Sequence, residues 1–220
     1  MLLVRHGQAS FGADDYDVLS PAGWEQGRIL GRYLAARGVR PTTLVRGGLR
    51  RHRETLEAIC ETAGWTQPAV EDPRWDEFDH LAVVAAHPEF AASDDLDRRG
   101  FQAIFEAATA AWIAGTLTGH ETFAAFGERA RAALADAAAS AGPGAEVVVV
   151  TSGGVIAAVA AALLETELPP GDPAIGRLWN RFNTVCVNTG MTRVVVGRTG
   201  ARLLTFNEHA HLEGEHLTYR

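Results

Sequence analysis

The stretch Glu146 to Gly154, EVVVVTSGG, decides how the chain is read. Four consecutive valines do not alternate with polar residues. The strand they predict is therefore covered on both faces, as in a parallel sheet between helix layers. Gly153 and Gly154 turn it into an apolar helix that runs to about Leu164. Working outward, Met1 to Arg5 is a second apolar run, ending abruptly in charge, and Thr42 to Val45 is a third. Each is followed by helical spacing. Ser20-Pro21 reads as an N-cap with proline just inside, opening a helix with Ile29, Tyr33 and Leu34 on one face and Gly38 as its stop. Leu49 to Ala63 returns to that spacing through Leu56, Ile59 and Cys60. From about Leu81 to Ala141 come three alanine-rich helical segments, separated near Asp94 and Gly115. Thr184 to Val187, Thr192 to Val196 and Leu203 to Phe206 finish as strands, with hairpin glycines at Gly190 and Gly200. The order β-α-β-α, helical insert, β-α-β-β-β predicts an α/β fold, a three-layer sandwich on a mainly parallel sheet. It reads as one domain over residues 1–220 with a helical insert at about 78–141.

Composition narrows the function classes. A chain of 220 residues can bury roughly 70% of its unfolded surface without disulfide or metal staples. With 47% hydrophobic and 21% charged residues, disordered and fibrous classes drop out. No apolar run approaches the ~20 residues of a membrane span, and the opening MLLVRHG has no secretory pattern, so the expected compartment is the cytoplasm. The formal net charge of −7 argues against nucleic-acid and anionic-membrane partners, which require a surplus of cations. All 20 cationic residues are arginine, which leaves the planar guanidinium to serve any anion site. Cys60 and Cys186 lie far apart in apolar surroundings and read as reduced buried thiols, with no metal knuckle or redox pair.

In open parallel sheets, ligands bind at the carboxyl ends of strands. Three such ends carry unusual residues: Arg5-His6-Gly7-Gln8, then Gly47-Gly48 leading to Arg50, Arg51 and Arg53, then Thr151-Ser152-Gly153-Gly154. Brought together, they make an anion site, because arginine forks match phosphate oxygens and helix-terminal N–H groups add donors. Arg46, Arg50 and Arg53 read better as a solvated helix face than as part of that site. A serine-hydrolase elbow at Ser152 would need glycine two residues earlier, where Val150 stands. His209, His211 and His216 have alternating spacing that resembles metal ligands, a weaker alternative than a closing C-terminal segment.

Taken together, LVRHGQAS, LSPAGWEQG, LRRHRET, WDEFDH and VVVVTSGGV resemble the histidine phosphatase superfamily, the phosphoglycerate-mutase-like clan, in its phosphatase branch. The resemblance implies a phosphohistidine intermediate on His6, gripped by Arg5 and Arg51; Leu49, Arg51 and Thr55 reproduce the family's L-x-R-x-x-x-T. It implies Glu77 as the acid that protonates the leaving alcohol, with Asp79 as substitute, and Gly7, Ser152, Gly153 and Gly154 around the phosphate. It implies no cofactor and no metal, and a small phosphorylated metabolite as partner; a homodimer is compatible with it. The chain departs from the family pattern twice. Ser152 stands where the family carries a second histidine, and Gly12 where an asparagine is frequent. The expectation is a metal-independent phosphomonoesterase of modest rate, without the pH dependence that a second histidine would impose near pH ~6.5. Mutase-type transfer and a weakly active phosphate-binding regulatory module are the alternatives. Phe78, His80, His87, Phe123 and Phe126 are candidates for shaping the pocket.

Overall fold

The computed structural model describes residues 1–10, 17–91, 98–117 and 121–219. Its elements run β1 (Leu2–Arg5), α1 (Pro21–Ala36), β2 (Thr43–Arg46), α2 (Arg50–Ala63), β3 (Ala69–Glu71), α3 (His80–Ala85), α4 (Pro88–Ala91), α5 (Arg98–Ile113) and α6 (Phe123–Ala141). After these come β4 (Val147–Thr151), α7 (Gly153–Leu164), α8 (Pro173–Asn183), β5 (Met191–Gly197) and β6 (Gly200–Glu208). The sheet order is β3-β2-β4-β1-β5-β6. Strands β3, β2, β4 and β1 pair in parallel, and the β5–β6 hairpin joins β1 antiparallel. The fold is the expected α/β sandwich.

The unbroken valines of β4 follow from burial on both faces. Val148 and Val150 join Leu2, Val4 and Leu44 beneath α1 and α2, against Leu30, Leu34, Leu56 and Ile59. Val147 and Val149 join Leu3 and Val45 on the opposite face, against α6, α7 and α8. Burying each such side chain is worth about 1.5–3 kcal/mol. The second face also holds an aromatic cluster in which Phe78 stacks on Trp112, with ring centroids 4.4 Å apart, and Phe123, Phe126 and Trp179 pack edge-on or tilted around them.

Three expectations are corrected. Residues 184–187 are not a strand. Thr184 caps the C-terminus of α8, and the chain then crosses the sheet end until Met191 takes the edge of β1. Helix α8 itself, capped by Asp172, and the three-residue edge strand β3 went unread. Gly190 accordingly lies ahead of β5 rather than in a hairpin, whereas Gly200 opens β6. The first insert segment is split at Pro88 into α3 and α4; its expected break at Asp94 lies outside the described residues, as does Gly12.

Candidate active site

Strands β1 and β4 leave the sheet in register, Arg5 opposite Thr151, with β2 on the far side of β4. Their exits therefore meet, and the three unusual strand ends share one rim. The His6 N–H donates to Thr151 O at 2.9 Å, which ties the two exits at the site.

His6 is 6% exposed. Its Nδ1 lies 2.7 Å from Gly7 O, so Nδ1 carries the proton and Nε2 keeps its lone pair. Burial, reinforced by the positive charges of Arg51 and Arg5 and by His52, holds its pKa well below 6.5. The ring is a neutral, oriented imidazole in a positive field. Asn188 Nδ2 donates to the His6 carbonyl, and Thr55 Oγ1 accepts from Gly7 N at 2.9 Å.

Among the arginines of the second strand end, Arg51 alone points inward. Its side chain is 9% exposed and reaches Asp17 at 2.7 Å. Arg50 and Arg53 are half-exposed and pair along the helix with Glu54 and Glu57. Arg46 pairs with Glu71. Asp17 also accepts from Arg50 N at 2.7 Å, capping an α2 whose N-cap, Leu49, has no side-chain acceptor. Arg5 runs beside the start of α7, its Nη1 bonded to the carbonyls of Cys186 and Tyr219.

Glu77 Oε2 accepts from Gly154 N at 3.0 Å and Oε1 from Phe78 N at 3.2 Å. Desolvation raises its pKa, against the opposing pull of those N–H groups and of Arg51 and Arg5. Gly154 N therefore serves the carboxylate at α7's first turn, not a phosphate. Asp79 is exposed and caps α3 through Ala82 N, away from this role. Ser152 is fully buried beside Gly153, and its Oγ lies 2.8 Å from His52 Nε2. His52 went unread as a site residue. The RRHR run disguised it, since nothing local distinguishes it from the arginines on either side.

Of the candidate pocket residues, Phe78, Phe123 and Phe126 belong to the core. His80 is only part-buried. His209 Nδ1 bonds its own Asn207 carbonyl and His211 packs on Tyr33. Among the described residues no group of three or more His, Cys, Asp or Glu is gathered as a metal site.

A family model, the histidine phosphatase superfamily (branch 1), matches residues 1–209. The chain belongs to that family. With it goes the enzyme class, a phosphoglycerate-mutase-like phosphatase. Among solved structures, mycobacterial glucosyl-3-phosphoglycerate phosphatase with inorganic phosphate is 25% identical at a TM-score of 0.66, covering 97% of this chain and 99% of that one. Bacillus stearothermophilus YhfR is 21% identical at 0.71, covering 96% and 98%. An Entamoeba histolytica phosphoserine phosphatase variant with phosphoserine is 17% identical at 0.66, covering 96% and 98%. No curated protein sequence matches. Among the described residues no helix is long and apolar enough to cross a membrane.

Proposed function

We propose that this phosphatase hydrolyses small phosphomonoesters through a phosphohistidine on His6, with arginine rather than metal carrying the phosphoryl charge. The observation that carries this reading is the state of His6: neutral, tied through Nδ1 to Gly7 O, and set beside Arg51 and Arg5. In the first step Nε2 attacks phosphorus and the P–O bond to the alcohol breaks. Glu77, whose raised pKa favours the protonated form, gives its proton to the leaving oxygen. In the second step the Glu77 carboxylate takes a proton from water, the water oxygen bonds to phosphorus, and the P–N bond breaks. Inorganic phosphate leaves, and His6 and Glu77 regain their starting states. Arg5 and Arg51 neutralise the equatorial oxygens in both steps, which is where most of the catalysis of phosphoryl transfer resides.

The test is rapid quench with a phosphorylated aryl substrate in EDTA. Acid-labile, base-stable phosphate should accumulate on His6, and His6→Ala should have no turnover at nearly unchanged thermal stability. Label on serine, or activity lost to EDTA, overturns the reading. The pH profile follows from the two shifts. The acid limb, where His6 protonates, lies well below pH 6.5. Activity falls on the alkaline side as Glu77 loses its proton, above its ordinary 4.5, and Glu77→Gln should abolish that limb.

A further inference from the structure

His52 takes no part in the two steps above, yet it joins α2 to α7 at the site. The ring is fully buried, its centroid 5.8 Å from that of His6. Nε2 stands 2.8 Å from Ser152 Oγ. Nδ1 faces Asp76 Oδ1 at 3.5 Å, a charge contact rather than a hydrogen bond. The carboxylate is fixed, since Oδ1 accepts from Gly48 N at 2.6 Å and Leu49 N at 3.3 Å. Gly47 keeps the space open: a Cβ there would come within 2.8 Å of His52 Cε1 and closer still to Nδ1 and Asp76 Oδ1. Ser152 holds the N-cap position of α7, where serine ordinarily bonds its own helix, but it makes no capping bond. Its hydroxyl is turned to the imidazole instead.

We propose that Asp76, His52 and Ser152 form a relay that aims the serine hydroxyl at an oxygen of the phosphoryl group on His6, His52 being a positioning residue that acts through Ser152. This rests on the phosphoryl-transfer reading. The hydrogen bond between His52 and Ser152 has two directions. With its single proton on Nδ1, toward Asp76, the ring accepts the serine O–H and the hydroxyl has no hydrogen left for substrate. With a second proton, Nε2–H donates to Oγ, and the serine hydrogen is released toward the phosphoryl oxygen. The charged groups facing the ring are Arg51 on its own helix, Asp76 ahead of α3 and Asp17 ahead of α1, and the neutral, titratable His6 lies at the exit of β1. Burial lowers the pKa of His52 and Arg51 adds to it, while Asp76 and Asp17 oppose them. A dianion entering beside His6 and Arg51 tips that balance, so binding draws a proton onto His52. The chain that lacks the family's histidine at position 152 thus supplies an imidazole from a helix 100 residues earlier. If the ring merely clamped α2 to α7, it would take up no proton and act independently of Ser152.

The experiment is calorimetry of sulfate binding to the full chain at neutral pH, in buffers of differing ionisation enthalpy. Sulfate is a dianion that does not titrate there. Wild type and His6→Asn should take up about one proton by linkage, and His52→Gln should bind without uptake, because an amide donates to Ser152 but does not titrate. Asp76→Asn, which leaves the ring in place, should also reduce the uptake. In turnover of an aryl phosphate, His52→Leu and Ser152→Ala should each lower kcat/KM by about 10- to 100-fold, the range of one charge-assisted hydrogen bond, whereas His52→Gln, which still donates to Ser152, should lose less than His52→Leu. The double variant should lose no more than Ser152→Ala alone. Uptake unchanged in His52→Gln, uptake lost in His6→Asn, or additive losses in the double variant would each overturn the relay. Uptake that follows His52 in a protein without phosphohistidine turnover would support the relay and overturn the catalytic reading instead.

Discussion

Helices α2 and α7 start at the exits of neighbouring strands, and both are buried, but for opposite reasons. Helix α7 buries nine consecutive residues, Gly153 to Ala161, all glycine, alanine, valine or isoleucine. The hydrophobic effect accounts for its position without any help. The inner face of α2 begins with Arg51, His52, Glu54 and Thr55 and becomes apolar only at Leu56, Ala58 and Ile59. Burying such a first turn is costly unless every charge has a partner. The partners are there: Asp17 for Arg51, Ser152 and Asp76 for His52, Leu19 N and Arg50 for Glu54. A helix that hydrophobicity would place anywhere on the sheet is thus held with its polar turn against the strand exits. The difference separates residues that make the fold from residues that make the site.

That contrast breaks most visibly at the first turn of α7, where the apolar helix touches chemistry. Glu77→Gln should lower kcat by about 10²- to 10⁴-fold, the range for a general acid–base group. Gly154→Ala should reproduce much of that loss, because its Cβ would run into the Glu77 carboxylate. Pre-steady-state kinetics with leaving groups of differing basicity would check both: each variant should be worst for the most basic alcohol. Next in size is the polar turn of α2. Arg51→Ala should lower kcat/KM by about 10²- to 10³-fold, the scale of one oxyanion donor. Arg50→Ala, which removes a half-exposed guanidinium paired with the buried Glu54, should remain within a few fold. Equal losses would mean that a diffuse basic face binds the anion. The smallest effect belongs to the apolar side. Ile156→Val, at a fully buried position of α7, should cost about 0.5–1.5 kcal/mol of stability and lower Tm by a few degrees, with kcat unchanged. A fall in kcat there would show that α7's packing sets the chemistry directly.

The legible parts of the sequence were those with a period or a cap. Ser20 does accept from Gly23 N at the start of α1, and the valine run is the central β4. Helix α8 carried its cap, Asp172-Pro173, and an apolar pair at Ile175 and Trp179, but Gly176, Asn180 and Asn183 dilute the helical pattern. Residues 184–187, TVCV, have strand composition, yet β5 rather than this segment completes the sheet. Residue type there reports neither pairing nor uniform burial, since Cys186 and Val187 are buried and Val185 is 47% exposed.

For the site, sequence alone determined which strand ends carry Arg5, His6, Arg51 and Ser152, because hydrophobic runs that stop in charge mark strand exits wherever the strands end up. It also bore the family's spacing. That spacing singled out Arg51 and put Glu77 ahead of Asp79; only the tertiary structure decided that Asp17 meets Arg51 and that the Glu77 carboxylate stands on the start of α7. Only the tertiary structure brought His52 to Ser152. Periodicity records how much of a residue is covered, a property of its own element. Which group covers it depends on the strand order β2-β4-β1, which places residues 100 positions apart on adjacent exits and leaves no trace in either local stretch.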